Sequence, residues 1–274
     1  MQRTPLSGAA VAIAAVAIAA TAAVAIVAVP SAAASPVAGE APPHRVSDFF
    51  RPIGEVARYG FSPDGSMLIL SVDHQLRDFN DVYTVPVDGD AAQAVWLGRI
   101  GRFAGLPRFT PDGGAVVFVT SDGTLVAADP VGGLATPLFT PPPGGRVSGV
   151  LPIPGDVVVF LRRDAEDADT KAFAVPVAGG ALTQLSQLPS GWNAGAPVAS
   201  SDGAHVAYFG SIARPVRIEV VPIGGGAPVL LSHALQPTER ITGLAFTPDN
   251  SRVIYQVARA ATPNLFYEDI YSIP

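Results

Sequence analysis

The chain has 274 residues, of which 15% are charged and 49% hydrophobic, so it is not a highly charged disordered chain. It holds no cysteine, which removes disulfides, thiolate metal sites, a cysteine nucleophile and a lipid-modified cysteine anchor. The net charge of −6, with 16 arginines and the single lysine Lys171, leaves no phosphate-neutralising surplus, so a general nucleic-acid binder is excluded.

Met1-Gln2-Arg3 makes a short positive start, and the 22 residues from Gly8 to Val29 carry no charge. Pro30 ends that run, and Ala32 and Ala34 fit the small-residue rule of signal peptidase. Residues 1–34 therefore read as a signal peptide cut before Ser35. The alternative is an uncleaved anchor, because the run is long enough to span a core of about 30 Å as a helix. In either case the rest of the chain is expected outside the cytoplasm, in the periplasm or extracellular space. Without the signal, 16 basic and 23 acidic residues leave a net charge of −7. Residues 35–44, rich in Ala and Pro, read as a flexible tether.

From residue 45 onward the chain repeats itself. Phe61-Ser62-Pro63-Asp64-Gly65 recurs as Phe109-Thr110-Pro111-Asp112-Gly113 and as Phe246-Thr247-Pro248-Asp249-Asn250. Weaker copies are Ala199-Ser200-Ser201-Asp202-Gly203 and Ile153-Pro154-Gly155-Asp156. Asp64 and Asp249 lie 185 residues apart over four steps, about 46 each. The spacing and composition predict type I turns, with Pro at i+1, Asp at i+2, and Gly or Asn where φ is positive. These aspartates are expected to shape turns and not to catalyse.

After each turn comes an apolar, β-rich run: 67–72, 115–120, 157–161, 205–209 and 252–257. A further run ending in Pro follows at 82–86, 126–130, 173–176, 218–222 and 270–274. Gly-rich tight turns and a fourth strand at 93–97, 134–139, 181–185 and 227–231 complete the first four units. The first strands of the units are expected at 56–59, 103–106, 147–150, 193–197 and 241–245.

Four antiparallel strands in about 46 residues is the arithmetic of a β-propeller blade. The fold class is all-β, a β-propeller of five such repeats over residues 45–274, folding as one domain because neighbouring blades bury each other's faces. The last unit has three strands, and residues 45–51 supply a spare one whose pairing there would close the ring at five blades. An incomplete array is the rival expectation.

The Phe-(Ser/Thr)-Pro-Asp-Gly turn, the apolar strand and the Pro-terminated strand before Gly-Gly resemble the WD40-like repeat of TolB-type propellers. The same repeat occurs in the non-catalytic propeller domains of prolyl oligopeptidase-like peptidases. The resemblance implies a periplasmic scaffold.

Catalytic material is sparse. His44, His74, His205 and His233 form no metal-ligand spacing, and there is no Gly-x-Ser-x-Gly elbow. The expected first strands contain no Asp, Glu or His, and Arg58 is their one charged residue. No cofactor is expected. The acidic stretch Asp164-Ala165-Glu166-Asp167-Ala168-Asp169 reads as a solvated loop, with a Ca²⁺ loop as its alternative.

Loops joining second to third strands share one rim with the starts of the first strands, and binding commonly resides on such loops. That rim collects His74, Arg77, Asp78, Arg162, Arg163, Trp192, Asn193, Arg214 and Arg240. Trp and Arg dominate interface hot spots, and arginine forks recognise carboxylates. The expected function is a monomeric, non-enzymatic, exported scaffold for a protein or cell-envelope component, touching a membrane only through its N-terminal segment. The alternatives are a hydrolase or lactonase using the central channel, and a truncated propeller without independent function.

Overall fold

The repeating pattern of apolar runs and Pro-Asp-Gly turns becomes five antiparallel sheets in the computed structural model. It describes residues 55–73, 79–89, 91–101, 105–212, 215–231, 235–236, 238–262 and 265–274. The expected signal peptide, tether and closing strand at 45–51 lie outside the described residues. All described residues belong to one unit, Ala41–Pro274.

Sheet 1 is β1 (Glu55–Phe61), β2 (Met67–Asp73), β3 (Phe79–Pro86) and β4 (Val95–Gly101). Sheet 2 is β5 (Arg108–Phe109), β6 (Val116–Val119), β7 (Leu125–Ala128) and β8 (Ala135–Phe139). Sheet 3 is β9 (Arg146–Ile153), β10 (Val157–Arg163), β11 (Lys171–Pro176) and β12 (Thr183–Gln184). Sheet 4 is β13 (Asn193–Ala199), β14 (His205–Ser211), β15 (Pro215–Pro222) and β16 (Val229–Leu230). Sheet 5 has three strands, β17 (Glu239–Phe246), β18 (Val253–Thr262) and β19 (Leu265–Ile273). Each sheet is a meander in chain order, the propeller-like arrangement, and the described strands form no closed barrel.

The middle strands read as continuous apolar runs because both of their faces are buried. Ile69, Val82 and Leu97 of sheet 1 pack with Val116, Phe118 and Val126 of sheet 2. Val117 and Leu125 of sheet 2 meet Val158, Phe160 and Phe173 of sheet 3. Val159, Leu161 and Ala174 of sheet 3 meet Ala194, Val206 and Tyr208 of sheet 4. Phe209 and Ile218 of sheet 4 meet Ile241, Tyr255 and Val257 of sheet 5. Each fully buried side chain of this size contributes about 1.5–3 kcal/mol. The sheets therefore stabilise one another, and sheet 1 adds a further apolar cluster of Leu68, Leu70, Val72 and Val85 on its other face.

The turns are built around a carboxylate. Asp64 Oδ1 accepts from the Ser62 hydroxyl at 2.6 Å and from Ser66 N at 3.0 Å, while Gly65 N donates to Ser62 O at 3.0 Å. Thr110 with Asp112, Ser200 with Asp202 and Thr247 with Asp249 repeat the device. Gly65 has φ 74° and Asn250 φ 57°, the left-handed values that the sequence pattern requires. The third turn, at Pro154-Gly155-Asp156, lacks the hydroxyl and places both Gly155 (φ 86°) and Asp156 (φ 56°) in that region.

Two boundaries differ from expectation. Among the described residues the first strand of sheet 2 is Arg108–Phe109, pairing with Val117 and Val116; of the expected 103–106, residues 105 and 106 carry no strand and the other two lie outside the described residues. The fourth strands of sheets 3 and 4 are two residues each, pairing only through Thr183–Gln184 with Phe173–Ala174 and Val229–Leu230 with Glu219–Val220.

Candidate functional site

Antiparallel meanders place the Pro-Asp-Gly turns at one end and the 164–170 loop with the 190–193 turn at the other. At that second end, sheets 3 and 4 are clasped. Thr170 N donates to Asn193 Oδ1 at 2.7 Å, and Ala194 N donates to Thr170 O at 2.8 Å. Gly191 N donates to Asp169 Oδ2 at 3.0 Å. Asn193 thus ties the two sheets together through its amide oxygen.

The clasp holds Trp192. Its ring is half-buried, with the Arg217 guanidinium carbon 5.4 Å from the ring centroid. Arg217 hydrogen-bonds Glu219 Oε1, and the Tyr208 hydroxyl donates to Glu219 Oε2. Glu219 is buried and its two oxygens are filled from two sides. Burial, reinforced by the Glu219 hydrogen bond, holds the Tyr208 phenol well above its ordinary pKa, so Tyr208 stays a donor. Gly210, opposite Arg217, lets that side chain pass, since a Cβ there would lie 2.7 Å from Arg217 Cγ. Neither Arg217 nor Glu219 stands out in the sequence; a lone acid inside the apolar run 218–221 is the one signal for a buried polar network.

The other expected rim residues separate. Arg162 is occupied: its guanidinium carbon stands 4.8 Å from the Phe139 centroid and 5.1 Å from that of Phe173, and it pairs with Asp164. Arg163 lies beside it in β10, turned to the opposite face, and its register partner is Arg146 at the start of β9. Arg240 is exposed on β17. His74, Arg77, Asp78 and Arg214 lie outside the described residues.

The acidic stretch does not converge. Asp164 is taken by Arg162 and Asp169 by Gly191 N. Among the described residues no group of three or more His, Asp or Glu is placed to hold a metal.

The first strands are more charged than expected. They extend beyond the expected ranges to include Glu55, Arg108, Arg146, Glu239 and Arg240. The expectation of first strands without carboxylates is therefore corrected. Each strand was read short because its opening residues are polar, whereas backbone pairing continues through them. Glu239 is committed, accepting from Arg259 Nη2 at 2.6 Å and from Gln236 N at 2.8 Å. Arg108 is half-buried, and that burial lowers its pKa from the ordinary value. At the opposite end, an open cleft of about 260 Å³ is lined by Thr110, Asp112, Gly114 and Asp156. The Asp112 carboxylate there is occupied by the Thr110 hydroxyl and Gly114 N.

No protein-family model matches the chain, and no curated protein matches it in sequence. Solved structures do resemble it. An oligogalacturonate lyase from Vibrio parahaemolyticus is 17% identical over 77% of this chain and 60% of its own, with a TM-score of 0.58. Dipeptidyl peptidase 4 from Porphyromonas gingivalis is 12% identical over 79% of this chain and 38% of its own, with a TM-score of 0.57. A putative TolB from Agrobacterium tumefaciens is 16% identical over 80% of this chain and 79% of its own, with a TM-score of 0.47. The chain spans about 60% of the length of the oligogalacturonate lyases that it matches. At these identities the likeness bears on the fold, which is all-β and propeller-like.

Proposed function

We propose that this chain is an exported, non-enzymatic propeller scaffold that binds a protein or cell-envelope component through the rim between sheets 3 and 4. One observation carries the reading: Trp192 is pre-set for contact. Its turn is tied to the neighbouring sheet through Asp169, Thr170 and Asn193, and its ring is backed by Arg217 on buried Glu219. A partly exposed aromatic whose support is already ordered loses little entropy on binding, which is how hot spots act.

The experiment is capture from detergent-solubilised envelope of the source organism with the tagged full chain as bait. A discrete partner retained by wild type and by Trp96→Ala, but lost on Trp192→Ala, supports the reading. Trp96 is the control because it is exposed on sheet 1, with its Nε1 donating to Asp81. An empty capture from folded bait, or a partner indifferent to Trp192, overturns it.

A second reading, catalysis at the inner strands, is favoured by the acid Glu55 and the half-buried Arg108 there. Cleavage of oligogalacturonate by the purified chain, abolished by Glu55→Gln, would move the assignment to that surface.

A further inference from the structure

Arg146 and Arg163 are register partners across β9 and β10 and therefore project from the same face of sheet 3. Ser148, paired with Leu161, shares that face. Leu161 packs with Ala194 and Tyr208, so the face is the one turned towards sheet 4. Arg217 reaches the same crevice from the other side, since it pairs with Gly210, which in turn opposes Ala194.

Directly opposed like charges weaken a strand pair unless an opposite charge intervenes. Among the described residues neither Arg146 nor Arg163 has a carboxylate partner. The nearby acids are otherwise engaged or turned outward: Asp164 pairs with Arg162, Asp169 with Gly191 N, and Glu219 with Arg217 and Tyr208. Glu166 and Asp167 are exposed on the loop and pair with neither arginine. A bulge in β9, between the partners of Val159 and Leu161, turns the opening of that strand relative to the rest of the sheet. Bulges near the ends of inner strands re-aim side chains in this way.

We propose that Arg146 and Arg163, with the Ser148 hydroxyl beside them, form a carboxylate-binding site that opens into the crevice between sheets 3 and 4. The inference rests on the reading of that rim as a binding surface and names the chemistry it recognises. Two guanidinium forks present parallel N–H donors that match the two oxygens of a carboxylate. A carboxylate is preferred over a phosphate because the chain is already acidic, with a net charge of −6, and the adjoining loop carries Glu166 and Asp167. Per recognised group, a carboxylate carries one negative charge and a phosphate between about one and two, so the phosphate group meets more repulsion from both. The carboxylate is either that of a free small acid or an Asp or Glu side chain of a bound protein.

Titration calorimetry of the full chain with succinate, hexaglutamate and inorganic phosphate, at matched ionic strength, tests the site. Arg146→Gln and Arg163→Gln should each weaken carboxylate binding about tenfold or more, the loss of one charge-assisted pair. Lys171→Gln, at an exposed cation on the opposite face, should leave it unchanged. Hexaglutamate binding at least tenfold tighter than succinate identifies a protein-borne carboxylate, and the reverse order a free acid. Absence of binding heat, phosphate binding tighter than both, or variants that bind like wild type overturn the site. Those failures leave the Trp192-dependent capture standing, so the two proposals fall separately.

Discussion

Sheets 1 and 5 stand at the two ends of the chain order and share the same turn, yet their outward faces are opposites. On sheet 1 the face turned from sheet 2 carries Leu68, Leu70, Val72 and Val85, all at most 8% exposed. On sheet 5 the face turned from sheet 4 carries Gln256, Glu268 and Ser272. There Gln256 Nε2 donates to Glu268 Oε2 at 2.6 Å, and Arg252 donates to Ser272. Terminal units of repeat arrays need a polar outer face to remain soluble. Among the described residues the outward face of sheet 5 joins these polar groups to the exposed Ile270, and that of sheet 1 is shielded and apolar. The ends of the array are thus chemically individual even where the repeat is regular.

The largest expected effect lies on sheet 1. Val72→Asp places a charge at a fully buried position and should cost about 3 kcal/mol or more, enough to lose most of the fold. Urea unfolding followed by circular dichroism measures it. A Val72→Asp protein as stable as wild type would erase the contrast between the two ends.

Acid is the next lever, because six turn carboxylates act together. Asp64, Asp112, Asp122, Asp129, Asp202 and Asp249 all have lowered pKa values. Neighbouring hydroxyls and backbone N–H groups cause the shift. For Asp64 and Asp249 the values fall from 3.8 to about 2. Groups depressed in the folded state stabilise it above their unfolded pKa, and that contribution is lost as pH falls through the folded value. The urea midpoint should therefore drop between the ordinary value of 3.8 and about 2. Asp64→Asn and Asp249→Asn should flatten the profile alike, because the two end sheets share the turn. A response confined to one variant would show that the turns differ as the faces do.

Smaller changes grade the turns. Gly65→Ala should cost about 1 kcal/mol, the left-handed conformation alone, because nothing lies within 4 Å of the added Cβ. Gly203→Ala should cost more, since its Cβ would collide with Pro154 O across the sheet 3–4 boundary. Thermal melts of the two variants decide the order. The smallest effect is expected at Ile270→Asp on the outward face of sheet 5. Ile270 is 70% exposed, and its replacement should change stability by less than about 0.5 kcal/mol.

Much of the architecture was legible because it is local. Val, Ile and Phe runs between Pro-Asp-Gly turns locate the middle strands, and the 46-residue period sets their grouping. The hydroxyl two residues before the turn aspartate was visible as Ser62, Thr110, Ser200 and Thr247, although its bond to the carboxylate was not. Trp192 and Asn193 were legible as neighbours on one rim, but the tie made by Asn193 was not. Its amide oxygen is used by Thr170, which lies 23 residues earlier on another sheet. Arg146 went unnoticed because its partner Arg163 is 17 positions away and only the β9–β10 register opposes them.

The sequence by itself determined what depends on neighbours along the chain: the turns, the strand periodicity and the number of strands in each unit. Positive φ, proline geometry and unbroken apolar runs act over a few residues, so they can be read in order. The tertiary structure alone decided which charges meet. Arg217 reaches Glu219 and backs Trp192, Arg162 lies over Phe139 and Phe173, and Arg146 opposes Arg163. Coulombic and ring contacts act between atoms a few ångströms apart in space, and only the packing of one sheet on the next brings those atoms together.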